Sequence, residues 1–346
     1  MADRMVTAII YSDKYLEHNL GPGHPERPER LRAIVEALRQ AGYWSSPNIQ
    51  VMEPEPAGRD DIELVHDPEY VELIEKLSRF RRPLDGDTPV NANTFELALL
   101  AAGGTIKAGR STMSGKAKNA FALVRPPGHH AGRAFGGGFC YFNNLAIMVE
   151  RLKREFKLKR VFVFDFDAHH GNGTQNIFYD DASVLYMSIH QDGRTLYPGT
   201  GFVDEIGSGE GEGYTVNVPM PPGSSDAEYA SVMQELFVPL TESFKPELFA
   251  VSVGMDAYVD DPLTQLELSA DAYGWLTRYI VDQAEKLCRG RVVLVLEGGY
   301  ALDALADAAV RIVKVLTGER PALPTRSRRL NIIDELKRRL ASYWSF

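Results

Sequence analysis

The stretch Val161–Asn172, VFVFDFDAHHGN, constrains the fold of this chain more than any other. Apolar and aromatic residues run into acids and imidazoles, the pattern of a buried strand that ends at a site. Residues i, i+2 and i+4 of a strand share a face, so a strand over 161–167 predicts Asp165, Asp167 and His169 together on one edge. Phe166, Ala168 and His170 then turn the other way. Two carboxylates and an imidazole at the end of a buried strand are costly unless something pairs with them, and a divalent metal is an economical partner. A capped turn with a polar gap-filler gives the same short motif, so the rest of the chain has to supply the partners.

With 346 residues, 44% hydrophobic and 25% charged, the chain can bury a large core. No Pro/Ser-rich linker, internal repeat or composition shift interrupts it. The expectation is one domain over 1–320 and a tail over 321–346, packed on that domain or at an interface of a homo-oligomer, a dimer or tetramer. A net charge of −9 with dispersed lysines and arginines argues against a nucleic-acid surface. Cys140 and Cys288 imply no disulfide framework, and a reducing compartment, the cytoplasm, is the expected location. The start, MADRMVTAIIYSDK, has neither a long apolar core nor a small-residue cleavage site. No apolar run reaches about 18 residues, so neither an export signal nor a membrane span is expected.

Met5–Tyr11 reads as the first strand, followed by a polar loop, Ser12–Arg27, with His18 and His24. Loops of that length between strand and helix often border a site. Pro28 opens a helix with Leu31, Ile34, Val35 and Leu38 at helical spacing, and Gly42 lies beyond its end. Pro68 starts the next helix, and His66 just before it reads as structural. A polar loop, Arg79–Asn93, with Asp85 and Asp87 leads into a buried helix over Thr94–Met113. Asn119–Val124 is a strand ending in RPPGHH, followed by a Gly-rich tract, Gly132–Gly138, and a helix with Leu145, Met148, Val149 and Leu152.

Further strands are expected at Ser183–Ile189, Tyr214–Val218, Glu247–Val253 and Arg291–Leu296, with Gly207–Gly213 as a flexible turn between the first two. Helices are expected at Asp226–Phe244, from a Ser269 cap to Cys288, at Leu302–Leu316, and over the basic tail Asn331–Trp344. Strands alternating with helices predict a three-layer α/β/α domain around a mostly parallel sheet, with ligands beyond the carboxyl ends of its strands. His129, His130, Asp165, Asp167, His169, Asp256 and Tyr300 all fall at or just past such ends.

Asp167, His169 and Asp256 would leave a metal at least one open position for water or a carbonyl oxygen. His129 and His130 are the candidates for proton transfer. Asp165 is available to orient one imidazole and the Asn172 amide the other; a carboxylate partner favours the charged ring, an amide the neutral one. Tyr300, after two glycines, is placed to donate to an oxyanion.

RPPGHHA, GGGFCYFNN, DFDAHHGNGTQ, GMDA followed by DPL, and LEGGY, in this order, resemble the histone deacetylase superfamily of zinc amidohydrolases. The resemblance runs from YSDKYLEHNLGPGHPERPERL to the helix after Tyr300. It implies Asp167, His169 and Asp256 as metal ligands and His129 and His130 as tandem histidines with Asp165 and Asn172 as partners. It also implies Tyr300 as the residue that polarises the substrate carbonyl. Asn172, in place of an aspartate, is similar to the class II branch and its prokaryotic relatives. Phe139 and Tyr197, with Gly138 and Leu263, become the walls of a narrow tunnel, Asp87 a contact to the substrate backbone, and Arg30 either a lining residue of an internal exit channel or one half of a plain surface salt bridge. A structural K+ site is implied at Asp165, Asp167, His169, Ser188 and Ile189, and a second near Phe178, Asp181, Val184 and Tyr214.

The implied activity is removal of an acetyl or short acyl group from acetyl-lysine or a similar N-acyl amine, with Zn2+ or Fe2+, since the donor set accepts either. An acetylated polyamine or other small amide is the rival substrate. Leu263 stands where an acid would favour a cation, although Asp260, Asp261 and Glu17 are candidates to lie near the mouth. An arginase-like dinuclear site would need carboxylates at positions 171 and 258, which are Gly171 and Tyr258. A non-catalytic acyl-ligand sensor would be expected to have lost a ligand or Tyr300, and neither is missing.

Overall fold

The structure, a computed structural model, describes residues 6–346. Met5, where the first strand is expected to begin, lies outside them. Eight strands form one sheet: β1 (Thr7–Ile10), β2 (Ile49–Met52), β3 (Asn119–Ala122), β4 (Val161–Asp165), β5 (Val184–Gln191), β6 (Thr215–Met220), β7 (Leu248–Val253) and β8 (Val292–Leu296). Their order is β2-β1-β3-β8-β7-β4-β5-β6, and every pair is parallel. The expected α/β/α sandwich is therefore parallel throughout. On one face the helices Glu29–Gln40, Leu302–Leu316 and Ala270–Cys288 pack side by side; on the other Thr94–Met113 lies against Asn144–Phe156.

The central strands are continuous apolar runs because both faces are covered. Phe162 and Phe164 of β4 pack on Phe237, with ring centroids 5.5 and 4.9 Å away. No helix among the described residues is long and apolar enough to cross a membrane.

Several elements depart from the sequence expectation. β4 stops at Asp165, so Asp167 and His169 lie in the turn beyond it. There the Asp167 amide donates to Asp165 Oδ1 at 3.1 Å and the His169 amide to Asp167 Oδ1 at 2.8 Å. Carboxylates that bind the backbone two residues on turn the chain in place of a ladder.

The helix expected over Asp226–Phe244 contains a π turn, Met233–Phe237, between two α segments. Pro239 explains it: the residue has no amide hydrogen, and its ring crowds the Glu235 carbonyl in a regular helix. β2 and the helix Asn172–Phe178 are elements that periodicity did not reveal, being short and, for β2, at a half-buried edge. Ser269 precedes its helix, but its hydroxyl donates to Asp226 Oδ2 at 2.6 Å instead of capping the first turn.

The glycine turn at 207–213 is tightly packed: a Cβ on Gly207 would stand 2.0 Å from the Gly211 carbonyl. The tail helix spans Asn331–Leu340 and folds back on β6, burying Ile333, Leu336 and Leu340. Beyond it the Trp344 indole donates to the Gly213 carbonyl at 2.7 Å and meets Tyr214 edge-on at 5.1 Å. Of its basic residues, Lys337 pairs with Glu235 at 3.0 Å and Arg339 with Glu335 at 2.9 Å.

Candidate active site

The carboxyl ends of β3, β8, β7 and β4 converge on one buried centre. Asp167 and Asp256 are 0% exposed, and His169 Nδ1 lies 3.1 Å from Asp167 Oδ1 and 3.0 Å from Asp256 Oδ2. The far carboxylate oxygens are aimed by the backbone: Gly298 N–H donates to Asp167 Oδ2 and Ala168 N–H to Asp256 Oδ1, both at 2.8 Å. Burial and then the neighbouring Asp167 push the Asp256 carboxyl up to about 7. Two buried carboxylates facing one imidazole nitrogen call for a cation, and two oxygens with one nitrogen at this spacing suit a catalytic divalent metal.

A second grouping, His129, Cys140 and Glu297, has equally close donor atoms. It does not suit a metal. Burial drives the Cys140 thiol well above its ordinary range. The Glu297 carboxyl already accepts Gly128 N–H at 2.7 Å and Ser252 Oγ–H at 3.1 Å.

The tandem imidazoles are biased in opposite directions. His129 Nδ1 donates to Asp165 Oδ2 at 3.1 Å; burial opposes its charge, but Asp167 and Asp165 outweigh it and hold the ring at about 10. His130 Nδ1 donates to Asn172 Oδ1 at 2.8 Å. Burial, then the charges of His129 and His169, take His130 well below its ordinary value, so it stays neutral with Nε2 free. Asn172 is held by the first turn of the helix Asn172–Phe178 that the sequence pattern missed.

A tunnel of about 230 Å3 leads to this centre, lined among others by Asp87, His129, His130, Gly138, Phe139, Tyr197, Leu263 and Tyr300. It is smaller than the cavities that hold drug-sized ligands. Gly138 sets its width: a Cβ there would stand 2.5 Å from His130 Cδ2 and 2.8 Å from Tyr197 Cε1. Phe139 adopts a left-handed φ of 70°, and its ring meets Tyr300 edge-on at 5.9 Å.

The Tyr300 amide donates to Asp261 Oδ2 and the Leu263 amide to Asp261 Oδ1, at 2.8 and 3.0 Å. Asp261 therefore ties two tunnel residues together, while Asp260 lies in a separate depression with Asp303 and Asp307. Glu17 is exposed and is not among the tunnel's lining residues. Burial pushes the Tyr300 phenol well above its ordinary range, so it remains a proton donor.

The loop Ser12–Arg27 divides its two histidines. His24 reaches the mouth, with its ring 4.8 Å from that of Phe139 and its Nε2 3.2 Å from the Asp87 carbonyl. His18 is buried behind the site near Glu26. His66 is structural, as expected, bridging Gly132 O at 2.7 Å and Asn143 N–H at 2.9 Å.

Asp165 and Ser188 are register partners on β4 and β5, which brings the five residues of the implied K+ site to one strand end. The Ser188 hydroxyl lies 2.8 Å from His190 Nδ1. At the implied second site the Phe178 and Asp181 carbonyls accept the amides of Asp181 and Val184, at 3.1 and 3.2 Å. Gly171 leaves no room for a second-metal carboxylate, since even a Cβ would stand 2.2 Å from Asp165 Oδ2. Glu297 and Asp261 lie inside the quoted motifs LEGGY and DPL, but motif reading gave neither the backbone-binding part that the structure shows.

A family profile described as "Histone deacetylase domain" matches residues 24–316. The chain is 46% identical over 315 residues to a "Probable deacetylase" of Archaeoglobus fulgidus, covering 91% of this chain and 87% of that protein. It is 35% identical to the "Histone deacetylase-like amidohydrolase" of Pseudomonas aeruginosa, covering 92% of this chain and 87% of that one. It is 38% identical to "Histone deacetylase 15" of Arabidopsis thaliana, of which it spans 57%. The solved HDA15 HD domain superposes with a TM-score of 0.91 at 35% identity, covering 99% of this chain and 96% of that one.

Proposed function

Since the chain belongs to the histone deacetylase family, whose members here are deacetylases and amidohydrolases, we propose that it is a zinc-dependent hydrolase that deacetylates lysine side chains. The observation that carries this reading is the pair of imidazoles with opposite protonation bias beside a three-donor centre. Asp167, His169 and Asp256 would hold the metal. Zinc in such a centre acidifies water and polarises the amide carbonyl.

The chain's own residues then divide the work. His130, neutral and oriented by Asn172, accepts the proton of the attacking water at Nε2. His129, kept charged by Asp165, supplies positive charge beside the reacting carbon and holds a proton ready for the amine. Tyr300 donates its phenolic hydrogen bond to the oxygen on which negative charge develops. Phe139, Tyr197 and Leu263 bury the methylenes of the substrate chain, and Asp87 at the mouth accepts a backbone amide. Asp165, Asp167, His169, Ser188 and Ile189 together offer oxygen donors of the kind a K+ ion takes.

Leu263 at the tunnel favours lysine over a polyamine, which has further cationic centres to satisfy. The test is a turnover comparison, on metal-loaded protein, of an acetyl-lysine peptide with acetylated putrescine, spermidine and cadaverine. The peptide is expected to give the higher kcat/KM. A polyamine preference would replace the substrate assignment, and binding of all four without turnover would make the protein a sensor.

A further inference from the structure

The two arginines that the fold buries, Arg30 and Arg125, share Glu26 behind the site at 3.1 and 2.5 Å, so Arg30 belongs to a buried pair and not to a surface one. The arginines that end the helix Pro68–Phe80 are left without such a partner. Arg79, Arg81 and Arg82 are exposed, and among the described residues none of them meets a carboxylate. Phe80 stands between them, 65% exposed, with the Arg79 guanidinium 5.7 Å from its ring centroid. Unpaired cations around a bare aromatic stand out in a chain of net charge −9. The patch is also tied to the tunnel mouth. Asp85 Oδ1 accepts the amides of Asp87 and Thr88 at 3.1 and 2.8 Å, and Thr88 Oγ1 accepts the Phe139 amide at 3.3 Å. This turn holds the tunnel residues Asp87 and Phe139 at one end and delivers Arg82 at the other. The Cα atoms of Arg82 and Asp85 are at most about 11 Å apart.

Resting on the deacetylase reading, we infer that Arg79, Phe80, Arg81 and Arg82 dock the substrate protein, and that the preferred acetyl-lysine has an acidic stretch a few residues away on one side. An extended segment advances about 3.3 Å per residue, so a chain leaving the mouth draws level with the arginines after roughly three to six residues. Guanidinium groups there take carboxylates in two-point hydrogen bonds, and Phe80 gives the same segment an apolar contact. Next to the lysine an acid would meet Asp85 and Asp87 instead and gain nothing. The net charge of the chain repels acidic peptides as a whole, so a preference for them has to come from a local patch.

Turnover of acetyl-lysine peptides by the metal-loaded protein tests this. Peptides with glutamates at those positions before the lysine, or after it, are compared with alanine and lysine versions at low and high salt. On one side only, glutamate should raise kcat/KM about 5-fold over alanine through a lower KM, and high salt should erase the gain. In Arg79→Gln/Arg81→Gln/Arg82→Gln the glutamate-to-alanine ratio should fall to near unity; should that variant fail to fold, Arg82→Gln alone should lower the ratio. Equal kcat/KM for glutamate and alanine peptides, the same gain on both sides, or a preference for lysine peptides would overturn the docking surface while leaving the deacetylase intact. So would binding to phosphatidylserine vesicles that the variant loses, without any peptide preference, since the patch would then be a membrane contact. Absence of turnover on every peptide and on acetyl-lysine capped at both ends would withdraw the deacetylase reading, and this inference with it.

Discussion

His129 and His130 are neighbours in sequence with 4.1 Å between ring centroids, yet a carboxylate faces one and an amide the other. In the proposed reaction that single difference in partner assigns base and charge carrier. Asn172→Asp should remove it: a carboxylate beside His130 raises its pKa, so the acid limb of the kcat/KM profile should move up by about 1–2 pH units. His130→Ala should cost roughly 10²–10⁴-fold in kcat, more than His129→Ala. An unmoved acid limb, or the reverse order of damage, would show that the base is not His130. The pairing of these residues was legible from DFDAHHGN and RPPGHH because each motif carries its residues contiguously at a strand end. Asp261 was harder to read: its function is to bind two backbone amides, and a carboxylate that holds backbone looks like any loop acid until the fold is known.

At the scale of elements, long amphipathic helices and buried strands follow from periodicity, and short or edge elements do not. β2 is four residues, three half-buried and Gln50 exposed, and the Asn172–Phe178 helix is two turns. Neither is long enough to display a period. The tail is different: its helix shows the pattern plainly, but nothing local says what its apolar face covers. Trp344 supplies the answer by packing on Tyr214 and Phe244 beside β6. Trp344→Ala should lower stability by about 2 kcal/mol, read as a lower urea midpoint, with kcat/KM of the folded protein unchanged. A loss of activity without a loss of stability would mean that the tail reaches the site.

For the molecule as a whole, the ionic cluster behind the site joins segments that sequence reading keeps apart, since Glu26 and Arg125 are 99 residues distant. Burial pushes the Glu26 carboxyl up, but the charge and hydrogen bonds of Arg125 outweigh it and hold it at about 2, below its ordinary 4.5. The folded state thus binds this proton more weakly than the unfolded one. The stabilisation is complete above the ordinary value and disappears as pH falls from about 4.5 towards 2. Glu26→Gln should cost roughly 3–5 kcal/mol at neutral pH and flatten that acid slope in urea titrations. An equal slope in the variant would place the acid sensitivity elsewhere.

The sheet order has one more consequence, which concerns time. β3 and β4 are consecutive in the chain, yet β8 and β7 lie between them. During synthesis the strands of the two outer parts of the sheet are made before the strands that join them, and Asp256 and Tyr300 arrive just beyond the ends of those last strands. A partly made chain therefore carries the tandem histidines and two of the three side chains proposed to hold the metal with no seam to hold them together. The site is complete only once the chain has been made as far as Tyr300, near the end of the sheet's last strand.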